Sequence, residues 1–569
     1  MKYCVAACFA ALLFLSNLSS LRAQQDSTVA PSPSAAPDFG QIQGNFQAVF
    51  QTYNQDSAIS AVVPPEQSTL NAFTNLIYTR GKFSAGMRYE SYLPRQVGYP
   101  GRFAGSGIGY RYASYTMDEL SVTIGNFYDQ FGQGLVFRSY EERNLGLDNA
   151  MDGIKVAYQV MPGFVVKGVY GKMRFNFNDG LINTDSYVRG IDGEINLNEL
   201  ITKFNESSTS ITIGGSFVSK YQRDNRSDLV LPENVGAWAG RFNLYRGNFG
   251  MSAEYAYKIN DPSADNKYIY HDGQALLVNM NYTTKGFSLN LDGKTIDNMS
   301  YRPDRTLQIT DAMINYLPAM TTQHTYLLAG TFYPYATQPL GEVAYQAEVG
   351  YKVKKNTKLG GKYGMDILVS SSQAYAPDKE VVNDLETTRL GYTNNLFGTG
   401  DQLYYADFNA TVKRKFSKKF NATAIYYNFV YNNDVIAGAR QLNGEEVVGT
   451  VYADVFVLDM NIKTKDKHNL NLVAQYLSSD QHQGDWASLQ AEYSISPHWI
   501  FAILNMYNFG NDIKDDRLHY PFGSVTYVKN ANRISMEYGK RRAGIFCVGG
   551  VCRPVPASNG LTVTITSSF

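Results

Sequence analysis

The chain ends on Leu561-Thr562-Val563-Thr564-Ile565-Thr566-Ser567-Ser568-Phe569. Leu561, Val563, Ile565 and Phe569 are apolar, and Thr562, Thr564, Thr566 and Ser568 fall between them. A period of two sends successive side chains to opposite faces of an extended strand, so one face is oily and the other hydroxylated. An edge strand of a soluble sandwich reads the same way over nine residues. The decision rests on whether the rest of the chain repeats the pattern, and at what length.

The pattern recurs from residue 41 onward as two alternating segments joined by a short polar turn, followed by a longer loop. In 341–353, Val343, Tyr345, Ala347, Val349, Tyr351 and Val353 share one face, and Glu342, Gln346, Glu348 and Lys352 the other. Lys354-Lys355-Asn356-Thr357 turns the chain, and the return segment sets Leu359, Tyr363, Met365, Ile367 and Val369 against Lys358, Lys362 and Asp366. Phe83, Ala85, Met87 and Tyr89 alternate with Ser84, Gly86, Arg88 and Glu90 after a turn at Arg80-Gly81-Lys82. Segments 249–258, 287–292, 469–476 and 487–495 repeat the unit.

Sandwich strands average about 5–6 residues. These segments run to about 10–12, the length a tilted strand needs to cross a bilayer. Arg88, Glu348, Lys352, Lys362 and Asp366 on the second face suit a wet lumen and would be ruinous in a dry sandwich core. The expected fold is therefore all-β, a single large transmembrane antiparallel β-barrel of about 24 strands, within a range of about 20–26 because weak segments escape a count. Residues 41–569 would form it. A barrel of this girth calls for something in its lumen. Residues 24–40, rich in Pro, Ser and Ala, read as a flexible periplasmic lead-in, too short for a plug domain of the kind TonB-dependent transporters carry.

Composition excludes other classes. Aromatics reach 14%, with 43 Tyr and 31 Phe but 3 Trp, while mean hydropathy is only −0.28. Strands whose two faces average out give that combination. Past the N-terminus no run of about 18 apolar residues exists, so no spanning helix is expected. With 51 basic and 51 acidic residues the chain has no electrostatic footprint for nucleic acid.

Residues 1–23 read as a signal peptide: Lys2, an apolar run from Val5 to Leu15, and a small residue, Ala23, at the cut. Val5-Ala6-Ala7-Cys8 also has the form of a lipoprotein box, but cleavage there would leave an apolar run of only a few residues. Cys4 and Cys8 leave with the signal. Cys547 and Cys552 remain, around Val548-Gly549-Gly550-Val551. Two central glycines can form a hairpin tip that sets the flanking residues face to face, and in an oxidising compartment that geometry favours a disulfide. A metal site would need further ligands that are not evident.

Two loop segments are candidates to fill or narrow the lumen. The first runs from Gln130 to Asp152 and mixes glycine hinges with opposed charges, offering Arg138, Glu141, Glu142 and Arg143 as a constriction. The second is 300–339, with Arg302, Asp304, Arg305 and Phe332-Tyr333-Pro334-Tyr335. The default reading of both is a surface loop over the rim. Gly105-Ser106-Gly107-Ile108-Gly109 sits inside an alternating strand and not before a helix, so it is not a phosphate loop. The six His have no metal spacing, and Asp512, Asp515 and Asp516 read as a solvated charge run. No catalytic set, cofactor or metal is expected, so the chain is read as no enzyme.

The closing strand resembles that of bacterial outer-membrane barrels, which implies that Phe569 is read by the barrel assembly machinery. The segment Gly125-Asn126-Phe127-Tyr128-Asp129-Gln130-Phe131-Gly132 through Arg143, and the ending Cys547 to Arg553 with Ser558-Asn559-Gly560, resemble an uncharacterised, porin-like family of Bacteroidota outer-membrane proteins. The resemblance covers nearly the whole mature chain and implies the barrel and the outer membrane of a Gram-negative bacterium. It carries no catalytic residues. Two functions are then expected: a passive channel for small polar solutes with a loop-constricted lumen, or a non-conducting scaffold or assembly component that docks a surface or periplasmic lipoprotein or another barrel. Lipid is the expected surroundings and nucleic acid no partner.

Overall fold

Alternation of this length closes into a ring. The structure, a computed structural model, describes residues 39–308, 311–382, 384, 387–437 and 448–569. The expected signal peptide, and all but Phe39 and Gly40 of the lead-in, lie outside them. Chain contacts separate Met1–Gly40 from Gln41–Phe569. Within the second unit, 24 described strands pair antiparallel, each with its neighbours in sequence, and the short Leu181–Asn183 extends one of them. The first strand, Gln41–Thr52, pairs on one side with Ser68–Arg80 and on the other with the last, Ser558–Ser568. Asn45 faces Ser568 and Gln51 faces Thr562, so no strand edge is left open.

Register carries one face around the ring. Gln47 is level with Thr566 and Phe73, Phe73 with Glu90, and Asn75 with Arg88. That face holds the threonines of the last strand and points inward. Leu561, Val563 and Ile565 belong to the outer face, with Ile42, Tyr345, Tyr351, Leu489 and Ile503, which stay exposed in the isolated chain.

The two ends of the ring differ. At the end carrying the chain termini, connections are short: 81–82, 162–163, 247–248, 285–286, 466–467 and 530–531 have two residues each. Only 197–208 and 354–364 exceed four. At the other end they run from 479–485 up to 298–340.

One turn departs from the expected reading. The strand after Gly341–Val353 starts at Met365, not Leu359, and 354–364 forms a compact turn. Thr357 Oγ1 donates to the Lys354 carbonyl at 2.8 Å and accepts from the Gly360 amide at 3.0 Å, while Gly361 and Gly364 adopt φ of +56° and +87°. Lys362 therefore sits on the turn and not on the lumen wall. Lys352 and Asp366 do face each other across the strands.

The interior departs further from a wet lumen. In the half nearest the long loops it holds an apolar core built from loop residues such as Phe131, Val136, Phe137, Ile314, Leu328 and Phe332, packed on small wall residues Ala237, Ala256 and Ala275. Full burial of one such large side chain is worth about 1.5–3 kcal/mol. Strands supply large side chains to this core as well, among them Val235, Leu277, Phe429 and Trp486, and their parity shows that share; the loop side chains packed on them follow no period.

Candidate functional site

The chain between the fifth and sixth barrel strands, 128–150, folds into the lumen. Gly132 and Gly134, with φ of +52° and +96°, reverse it so that the rings of Phe131 and Phe137 pack with centroids 4.9 Å apart, tilted by 48°. Two short pairings stiffen it, Asp129–Gln130 with Arg138–Ser139 and Glu141–Glu142 with Leu147–Asp148. The Gln133 amide donates to Glu254 Oε2 on the wall strand Phe249–Lys258 at 2.6 Å. A Cβ at Gly132 would lie 2.3 Å from that carboxylate oxygen, so only glycine fits.

A buried charge cluster ties this loop to the wall. Arg174 is bidentate on Glu90, both contacts 2.7 Å, and reaches Asp148 of the loop at 2.8 Å. Arg88 bonds Glu90 at 2.7 Å, pairs with Asp148, and reaches Glu141 at 2.9 Å. Arg143 then holds Glu141 at 2.6 Å and lies over the Phe73 ring. Tyr128 donates to Asp148 at 3.0 Å, and burial followed by that carboxylate pushes its phenol well above the usual value. Charges removed from water this thoroughly persist only because each carboxylate has cationic or phenolic partners.

The 298–340 loop lies alongside. Its Ile314 carbonyl accepts from the Arg138 amide at 2.8 Å, and Asn315 donates to Leu135 and Met299 carbonyls at 3.2 and 2.8 Å. Tyr301 donates to the Val235 carbonyl of the wall at 2.8 Å. Farther along, His324 contacts Asp407 at 2.7 Å, Tyr326 donates to Asp459 at 2.9 Å, and the Leu328 amide donates to Gln475 at 3.0 Å. Phe332, closing the short helix Leu327–Phe332, meets Trp486 with ring centroids 5.0 Å apart. Tyr335 donates to Glu342, which also pairs with Lys294; burial and then the carboxylate push that phenol far up, so it stays a donor.

The third segment is the cysteine hairpin. Gly544–Val548 and Val551–Val555 pair, with Gly549 and Gly550 at the tip at φ of +58° and +87°, and Cys547 is joined to Cys552 with Cα atoms 4.1 Å apart. The primed-turn geometry needs both glycines. The tip is seated on the second loop: Tyr316 donates to the Gly549 carbonyl at 2.8 Å and the Thr337 amide to that of Gly550 at 3.1 Å. Arg553 reaches the Asn144 and Gly98 carbonyls at 2.8 and 2.7 Å, which links the hairpin to the first loop.

Along single strands the filling stops halfway. Glu342 is 0% and Asp407 1% exposed beneath the loops, while Lys352 and Asp366, on the same inward face nearer the short turns, have side chains 65% and 57% exposed. Lys413 and Lys463 are exposed on that face too. Between the halves lies a cavity of about 880 Å³, lined by Thr321, His324 and Tyr326 of the loop and by Asp459, Asn471 and Gln490 of the wall. Asn471 is close to the 466–467 turn, so the cavity reaches well into the open half.

The residues singled out from sequence are placed as follows. Arg88 lies in the charge cluster, with Glu141 and Arg143. Glu142 caps the turn 143–145 by accepting from the Asn144 amide. Arg138 stands apart, between the rings of Tyr140 and Tyr316 at 4.3 and 4.0 Å. Glu348 accepts from Asn290 at 3.2 Å on the inward face. Phe569 pairs its backbone with Gly44 at 3.0 Å in both directions and covers that glycine with its ring. Arg174, Asp407 and Asp459 were not singled out. Their signal was strand parity alone, which sets Asp407 and Asn409 against Phe408 but cannot say what they meet.

Similar folds occur among solved structures. The siderophore receptor PirA from Pseudomonas aeruginosa matches at 10% identity and a TM-score of 0.42, covering 93% of this chain and 81% of that one. OpdK from the same organism, an outer-membrane protein, matches at 10% and 0.33, covering 77% and 99%. The P pilus usher PapC translocation pore matches at 6% and 0.37, covering 93% and 99%. No curated protein matches the sequence. Residues 2–569 match the "Family of unknown function (DUF6029)", and the chain belongs to that family.

Proposed function

We propose that this protein is an outer-membrane channel for small polar solutes, exported with loss of residues 1–23 and held closed by its own loops. The membrane setting follows from the oily outer face on strands of spanning length, with short turns toward the periplasm. The observation that carries the channel reading is the cavity between an open vestibule and a loop body made of separable segments, with His324, Asp459, Asn471 and Gln490 among its mixed polar and apolar lining. Solute would enter from the vestibule, and passage would need the loops to shift. In the closed form Glu141 and Arg143 hold the first loop to the wall and Arg138 holds it to the second, so these residues would set the gate as well as any constriction.

Planar-bilayer recording tests this. The wild type should show rare openings, and Arg138→Ala/Arg143→Ala should open more often and with changed ion selectivity. Silence from both, with no swelling of sugar-loaded liposomes, would remove the channel. The second reading, a closed scaffold that docks a lipoprotein or another barrel, draws on the ties that bind the loop body to strands all around the ring. A partner retained stoichiometrically in mild detergent, beside a silent bilayer, would favour it.

A further inference from the structure

The eleven connections at the terminus-bearing end are unlike in charge. Three neighbours, taken with three flanking residues on each side as 351–367, 413–422 and 463–470, hold thirteen Lys and Arg against two Asp. The other eight, counted the same way, hold seven Lys and Arg against five Asp and Glu. Within the three, the two acids are matched locally, Asp366 by Lys352 at 3.5 Å and Asp466 by Lys463 at 2.9 Å. Lys362 and Lys415 flank the Tyr363 ring at 5.9 and 5.4 Å. So dense a run of like charge costs self-repulsion that nothing inside this arc relieves.

The arc also has a direction. Asp407 and Asp459 reach the loop body and so mark the lumen face, and Lys413, Lys415 and Lys463 share their parity on the same strands. Register agrees, since Asp366 is level with Lys413 and Lys413 with Thr423, which is level with Asp459. These side chains line the inside of the mouth, on the face turned away from the barrel's outer surface, and the turn lysines continue them outward. Six adjacent strands spaced about 4.8 Å apart make the arc about 24 Å wide. A small anion needs a few donors within hydrogen-bond reach. An arc this wide matches an extended polyanion.

We propose that this rim is the docking surface for an acidic polypeptide segment, seated across the three turns with its carboxylates directed into the lysine-lined mouth. The partner's placement in the periplasm rests on the outer-membrane reading; the surface does not, and its test in detergent is independent of conductance.

Purified protein in detergent is titrated with a fluorescent Glu- and Asp-rich peptide, read by anisotropy. Binding should weaken steeply as salt rises, because exposed charges are screened beyond about 10 Å at 0.1 M. It should fall about tenfold or more in Lys354→Glu/Lys355→Glu/Lys418→Glu/Lys419→Glu, whose positions are all exposed turn residues. Arg80→Glu/Lys82→Glu/Lys529→Glu/Arg533→Glu makes the same charge change at exposed positions on or beside other turns and should stay within about twofold of wild type. Equal loss in both variants would reduce the effect to net charge and overturn the proposal. So would absence of binding, displacement of the peptide by inorganic phosphate at constant ionic strength, or a first variant that lost only its retention of phosphatidylglycerol.

Discussion

Arg174 meets two carboxylates from two directions, Glu90 across the barrel wall and Asp148 from the first lumen loop. Removing it leaves two buried charges short of a partner, and breaking a buried pair this way typically costs about 3–5 kcal/mol. Arg174→Ala should therefore lower the urea midpoint of the folded protein in lipid vesicles clearly, and an unchanged midpoint would show that water already reaches the cluster. Gly132→Ala should act more locally, since its Cβ has no room beside Glu254 and its φ is positive. The expected result is a protein of near wild-type midpoint whose first loop becomes sensitive to protease. Arg88 and Glu90 were legible as inward residues from alternation alone. Their partners were not, because Asp148 sits on an irregular loop where no period links residue to face.

The disulfide hairpin was legible as an element, since two adjacent glycines inside a six-residue cysteine loop leave few conformations other than a primed turn. Its burial against Tyr316 and Thr337 was not. Closing so short a loop is worth about 2 kcal/mol in the chain-entropy view. In Cys547→Ser/Cys552→Ser the strands of the hairpin should still pair, but its seat on the second loop should loosen, seen as faster amide exchange at Thr337 and at Ala319, whose amide donates to the Gly549 carbonyl at 3.4 Å. Protection equal to wild type would mean that Arg553 and the tip contacts suffice alone. The 354–364 turn was misread for a physical reason: Leu359, Gly361 and Tyr363 continue in phase with Met365, so periodicity runs straight through it. Thr357 and the Gly360-Gly361 pair were the signals against a strand.

Across the molecule, ring closure, strand number and the asymmetry of the two ends could be argued from sequence, because each strand states its own two faces. What fills the ring could not. A loop rich in Phe, Leu and Tyr reads alike whether it covers the rim or enters the lumen, and only the volume enclosed by so many strands decides. The outcome is a barrel packed under its long loops and open beneath its short turns. Under the proposed outer-membrane setting, Phe569→Ala, which removes the ring resting on Gly44, should slow assembly while leaving the lumen unchanged; normal membrane levels would overturn the expectation that Phe569 guides assembly. The division of the lumen is tested most directly by thiol labelling of the folded protein with a membrane-impermeant maleimide. Lys413→Cys should label rapidly, and Val136→Cys should resist labelling until the protein is unfolded. Comparable rapid labelling at both positions would contradict a lumen closed by its own loops.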